Sequence, residues 1–124
     1  MRTGIAKSVI IVEETISYRD LLRKILKTLN CEVVGESSGG HEAIGLYERK
    51  KPDIVLLDIL LPQKYGLELL KNIIELDPFQ IVIMMTAESD QETVQSCIAA
   101  GAKGYILKTD SASEIRERLR RFIF

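Results

Sequence analysis

Ile54-Val-Leu-Leu-Asp58-Ile-Leu-Leu-Pro62 decides the architecture of this chain. Its first four residues form an apolar run rich in β-branched side chains, too short for a helix and without the alternation of a half-exposed strand. Such a run suits a parallel strand covered on both faces, and a carboxylate at its carboxyl end then stands at a sheet edge. Four further runs share the pattern: Ser8–Val12, Cys31–Gly35, Ile81–Met85 and Gly104–Leu107. The first, third and fourth in chain order are apolar almost throughout.

Amphipathic segments separate these runs. Leu21, Leu22, Ile25, Leu26 and Leu29 recur at helical spacing, with Ser17 and Asp20 as a plausible start. A second helix is expected from His41 to Lys50, carrying Ala43, Ile44 and Tyr47 inward despite Gly45. A third uses Leu67, Leu70, Ile73 and Ile74 and ends at Asp77-Pro78. Ser89-Asp-Gln-Glu92 and Ser111-Ala-Ser-Glu114 are capping boxes that open the fourth and fifth helices, and Gly101 closes the fourth. Strict alternation of strand and helix predicts a doubly wound α/β fold, (βα)5, with a five-stranded parallel sheet. In such sheets the working site lies at the carboxyl ends of the strands, where strand order reverses.

Length and composition agree with one domain over residues 1–124, its core from about 8 to 123. Of 124 residues, 46% are hydrophobic and 28% charged, enough to complete a core without disulfides or a structural metal. With 17 Lys+Arg against 18 Asp+Glu, direct nucleic-acid binding is not expected. Cys31 and Cys97 are far apart, outside any C-x-x-C, and read as small buried hydrophobes. No apolar run approaches the roughly 18 residues of a membrane span, and the amino terminus lacks a signal-peptide pattern. A cytoplasmic location is the resulting expectation. Neither G-x-x-x-x-G-K-[ST] nor G-x-G-x-x-G occurs, which disfavours ATP and dinucleotide binding. His41, the single histidine, reads as a loop or capping residue. Glu114 with Arg118 and Glu117 with Arg121 have the spacing of helix ion pairs, so the Arg-rich last helix reads as a solvated face.

At the strand ends the chain reads Glu13-Glu14, Asp58, Thr86 and Lys108. Clustered carboxylates need a cation when ionised, and oxygen-only ligands favour Mg²⁺. A carboxylate nucleophile, a metal and a Lys point charge together suit phosphoryl transfer. Each residue alone has an ordinary explanation as a loop or turn group. Their joint placement on four strand ends carries the argument.

With these residues, Asp58-x-x-x-Pro62-x-x-x-Gly66, Met85-Thr86-Ala87 and Gly101-Ala-Lys-Gly-Tyr105-Ile-Leu-Lys108, the chain resembles the receiver domain of bacterial two-component response regulators. The resemblance implies a flavodoxin-like strand order 2-1-3-4-5. It implies that Asp58 accepts a phosphoryl group from a phosphohistidine on a sensor histidine kinase, with Mg²⁺ (or Mn²⁺) held by Glu13, Glu14, Asp58 and the Leu60 backbone carbonyl. Lys108 and Thr86 would bind the phosphoryl oxygens, and Tyr105 would be the aromatic of the switch. The resemblance further implies a downstream effector or output domain, with a homodimer through the face from the fourth to the fifth helix as an option. Such a domain is a regulatory phosphoacceptor, not an independent enzyme, although it assists its own phosphorylation and dephosphorylation.

Two positions depart from the family. Glu13-Glu14 replaces the usual Asp-Asp or Glu-Asp, so the alternative is a pseudo-receiver, an interaction module with weak or no phosphorylation. Thr109 stands where Pro usually follows the Lys, and because a non-proline cis bond costs about 3–4 kcal/mol, a trans bond or a rearranged loop is expected. Lys108-Thr109, Val34-Gly-Glu-Ser37 and Gly40-His-Glu-Ala43 are similar to the nitrate-response branch of receivers. A third reading, a small phosphohydrolase with Asp58 as nucleophile, would need a second Asp as general acid where Leu60 stands.

Overall fold

In a computed structural model that describes residues 6–61, 66–87 and 91–123, strands and helices alternate throughout. They are β1 (Ser8–Val12), α1 (Ile16–Thr28), β2 (Glu32–Ser37), α2 (Gly40–Lys50), β3 (Ile54–Asp58), α3 (Gly66–Leu76), β4 (Ile81–Thr86), α4 (Gln91–Ala99), β5 (Gly104–Leu107) and α5 (Ala112–Ile123). All strand pairs are parallel, in the order β2-β1-β3-β4-β5. The doubly wound (βα)5 fold and the flavodoxin-like order expected above are both present.

Alternation along the three central strands supplies two cores. Ile10, Val12, Val55, Leu57, Val82 and Met84 point to one face and pack under α2, α3 and α4. Val9, Ile11, Ile54, Leu56, Ile83 and Met85 point to the other, against Leu22, Ile25 and Leu26 of α1 and Ile115 and Leu119 of α5. Burying each of these side chains contributes roughly 1.5–3 kcal/mol, which makes the three central strands the rigid frame of the molecule.

Helix ends follow local chemistry. The α1 chain ends in a Schellman turn: Asn30 takes the left-handed conformation (φ 59°), its N–H bonds to the Lys27 carbonyl, and the Cys31 N–H bonds to that of Leu26. Cys31 is thereby spent on the turn, so β2 starts at Glu32 and runs to Ser37, later than the Cys31–Gly35 expected. Gly101 (φ 113°) closes α4 in the same way, with N–H bonds from Gly101 to Ile98 and from Ala102 to Cys97. The Ser111 box at α5 is formed, Ser111 N–H donating to Glu114 Oε1 (2.9 Å) and Glu114 N–H to Ser111 Oγ (3.1 Å). Ser89 of the other box, Pro62 and Phe124 lie outside the described residues.

Three expectations need correction. Helix α1 begins at Ile16 behind Thr15, not at Ser17, because the Glu13 carboxylate accepts the Thr15 N–H (2.9 Å) and turns the chain early. On α5, Arg118 meets Asp110 (3.3 Å), which the preceding turn brings closer than Glu114, whose carboxylate is engaged in the cap. Glu117 lies 3.9 Å from both Arg116 and Arg120, and Arg121 is not its partner. Of the two cysteines, Cys97 is buried and Cys31 is only half-buried.

Candidate functional site

The frame delivers its polar groups to one edge. Strand β1 ends at Val12, and the next residue, Glu13, is fully buried, its N–H fixed by the Ser37 carbonyl of β2 (2.9 Å). Asp58 is the last residue of β3 and is 6% exposed. Thr86 ends β4 and is buried, and its carbonyl accepts the Lys108 N–H (2.8 Å), which ties the end of β4 to the residue that follows β5. The site therefore straddles the reversal of strand order between β1 and β3.

Gly66 lets α3 start against this edge. A Cβ there would lie 2.1 Å from the Asp58 carbonyl oxygen and 2.8 Å from Ile59 Cα, so only glycine permits the approach that lets Gly66 N–H reach the Ile59 carbonyl.

Lys108 Nζ joins the two buried carboxylates, 2.6 Å from Glu13 Oε1 and 2.8 Å from Asp58 Oδ2. The second contact is a hydrogen bond donated by the ammonium. The first is an ion pair by distance but lies off the hydrogen-bonding direction, which leaves Glu13 Oε1 buried without a hydrogen-bond partner. Asp58 Oδ1 accepts the Leu60 N–H (3.2 Å), holding the carboxylate in the turn whose Leu60 side chain points to solvent.

These contacts set the electrostatics. Burial pushes the Asp58 carboxyl up to about 6, opposed by the hydrogen bond from Lys108 and reinforced by the neighbouring charge of Glu13. Burial pulls the Lys108 ammonium down, but Asp58 and Glu13 outweigh it and its pKa lies above the ordinary value. Near neutral pH the arrangement is an ionised carboxylate beside a fixed cation.

Not every expected residue joins. Glu14 is exposed, unlike its buried neighbour Glu13. Tyr105 is half-buried on β5 against the α2–α4 core, and the Arg118 guanidinium lies over its ring, 5.2 Å from the centroid. Arg118 also pairs with Asp110, whose Oδ2 accepts the Leu107 N–H (3.2 Å). This turn holds Thr109 without any cis bond among the described residues, as the missing proline leads one to expect. Tyr18 was not visible in the sequence as a site residue, yet Lys108 Nζ lies 5.2 Å from its ring centroid. Burial, with the charges of Glu13, Asp110 and Asp58, pushes the Tyr18 phenol up to about 12.

The donor set suits a hard divalent cation. Among the described residues no group of three or more His, Cys, Asp or Glu side chains is arranged around a common metal position. Mg²⁺, however, commonly takes one or two carboxylates and completes its shell with waters and phosphate oxygens. Glu13 and Asp58 are such a pair, and Glu13 Oε1, ion-paired but not hydrogen-bonded, faces the place now held by the ammonium.

A family model for the response regulator receiver domain matches residues 9–120. The chain belongs to that family. It is 36% identical over 115 residues to the chemotaxis protein CheY of Thermotoga maritima, covering 93% of this chain and 96% of that protein. To CheY of Listeria monocytogenes it is 39% identical over 112 residues, 90% of this chain and 94% of that one. The CheY chain in a CheX-CheY-BeF3-Mg²⁺ complex from Borrelia burgdorferi superposes with a TM-score of 0.92 at 30% identity, covering 98% of this chain and 92% of that chain. The receiver family comprises regulatory phosphoacceptor domains of two-component signalling, which act with kinases and with effector or output partners. No helix among the described residues is long and apolar enough to cross a membrane.

Proposed function

We propose that this receiver takes a phosphoryl group onto Asp58 from a phosphohistidine of a sensor histidine kinase. An Asp58 carboxylate oxygen attacks the phosphorus, the P–N bond breaks with its electron pair staying on the imidazole, and an aspartyl phosphate forms. The observation that carries this is the 2.8 Å contact between Asp58 Oδ2 and Lys108 Nζ at the carboxyl edge of the sheet. The ammonium neutralises charge on the incoming phosphoryl oxygens, and the Thr86 hydroxyl, on the neighbouring strand end, donates to one of them. Glu13, Asp58 and the Leu60 carbonyl would hold Mg²⁺ or Mn²⁺, with the exposed Glu14 turning in from solvent to join them, and the metal when bound would neutralise phosphoryl oxygens.

A phosphate adds about −1.5 to −2 of charge and three strong acceptors, so Lys108 and Thr86 gain a new common partner. That change reaches Tyr105 three residues earlier on β5 and biases the face from α4 to α5. A pocket of about 290 Å³ lined by Gln91, Val94, Gln95, Tyr105 and Leu107 lies on that face and suits an effector or a second copy.

Glu14, exposed where its neighbour is buried, favours a second reading, a pseudo-receiver that binds partners with little phosphorylation. One assay separates the two. Incubation with acetyl phosphate and Mg²⁺ should add one phosphoryl group, about 80 Da in intact mass, and Asp58→Asn should abolish it. No adduct at any Mg²⁺ or Mn²⁺ concentration would support the pseudo-receiver instead.

A further inference from the structure

Tyr18 stands in the first turn of α1, half-buried, with its hydroxyl shielded from solvent and without a hydrogen-bond partner. A buried, unsatisfied hydroxyl is a cost, so the hydroxyl does not explain the residue. The ring does have a partner, the ammonium of Lys108 at 5.2 Å from its centroid. Aromatic faces attract ammonium groups at this range, more strongly when water is excluded.

Among the described residues the Lys108 ammonium rests on three supports: Glu13, Asp58 and the ring of Tyr18. Phosphorylation would change two of them. Asp58 would become an ester of phosphate, and a divalent cation would compete for Glu13. A lysine side chain is flexible and is poorly held by a single contact. Only the ring keeps its chemistry through the reaction.

We infer that Tyr18 is a positioning residue, whose ring face holds the Lys108 ammonium at the phosphoryl-accepting edge while its carboxylate partners change. The inference rests on the phosphoacceptor reading of Asp58 and Lys108. It adds a determinant in α1 that acts through Lys108 and touches no reacting atom.

Two measurements test it. In the unsubstituted, metal-free protein, the ε-methylene protons of Lys108 should be shifted upfield by the ring relative to the other lysines. Tyr18→Phe should retain that shift and Tyr18→Leu should lose it. In phosphorylation from acetyl phosphate with Mg²⁺, Tyr18→Leu should slow the reaction about three- to tenfold, and Tyr18→Phe should restore most of the rate. In a Lys108→Met background, Tyr18→Leu should have no further effect, since the residue it acts through is gone. Unshifted Lys108 protons, a Phe variant as slow as Leu, or an equal slowing in the Lys108→Met background would each overturn the inference. Should Lys108→Met itself phosphorylate at the parental rate, the role assigned to Lys108 fails, and the proton shifts alone decide whether the ring holds the ammonium.

Discussion

The two edges of the sheet bury polar groups in opposite ways. At the amino edge Gln80 is buried and neutral, and its amide is fully engaged: Oε1 accepts from the Tyr47 hydroxyl (3.1 Å), and Nε2 donates to the carbonyls of Asp53 (3.0 Å) and Ile81 (3.3 Å). At the carboxyl edge Glu13 and Asp58 are as deeply buried, but they are charged, share one ammonium, and leave Glu13 Oε1 without a hydrogen bond. The neutral amide satisfies its neighbours and closes that end of the structure. The paired carboxylates repel each other and are tolerated because of Lys108, which is the expected condition of a site kept ready for a cation or a phosphoryl group.

Substitutions should separate the edges by size and by sign. Removing the cation that pairs with both carboxylates has the largest expected effect: Lys108→Met should destabilise the metal-free protein by about 3 kcal/mol at pH 7 in urea unfolding, and Mg²⁺ should recover part of the loss. At the other edge, Gln80→Leu strands the Asp53 carbonyl and the Tyr47 hydroxyl and should cost about 2 kcal/mol, with no response to Mg²⁺. Asp58→Asn should go the other way, stabilising the metal-free protein by about 1–2 kcal/mol at pH 7, because it removes a carboxylate whose charged form the fold disfavours. A destabilised Asn variant would erase the distinction between the edges.

The pH dependence follows from the same carboxylate and has the smallest expected effect. Folding raises the Asp58 pKa from 3.8 to about 6, so between those values the native state holds a proton that the unfolded chain has released. This contribution to stability is present below the unfolded pKa and is lost as pH rises through about 6. Unfolding curves of the metal-free protein at pH 5 and pH 7 should differ accordingly, and Asp58→Asn should remove that component.

Much of this was legible in the sequence because apolar runs and strand ends are local signals. Val9 to Val12 and Ile54 to Leu57 announce buried parallel strands, and the residues just beyond them, Glu13 and Asp58, arrive at the edge by counting alone. The roles of Glu13 and Glu14 were not legible, since alternation past the strand sends one inward and the other out, and both are glutamates. Tyr18 was hidden because helical spacing marks an inner face without saying whether a residue there meets the core or the site. Asp110 and Arg118 were hidden for another reason: the turn after β5, not helical spacing, brings them together. Thr15 displaced Ser17 as the start of α1 because the amide that needed an acceptor found the Glu13 carboxylate, a contact no capping pattern encodes.

A charged edge that loads Asp58 must leave the phosphoryl group on that residue, so the loaded atom is what has to be identified. Reduction of the acetyl-phosphate-treated protein with borohydride converts an aspartyl phosphate to homoserine, which peptide sequencing by mass spectrometry can place. Homoserine at position 58 alone, reduced when Lys108 is replaced by Met and absent when the metal is withheld, is the predicted result. Homoserine at Asp53, Asp77 or Asp110, or none under any condition that phosphorylates a CheY control, would contradict it.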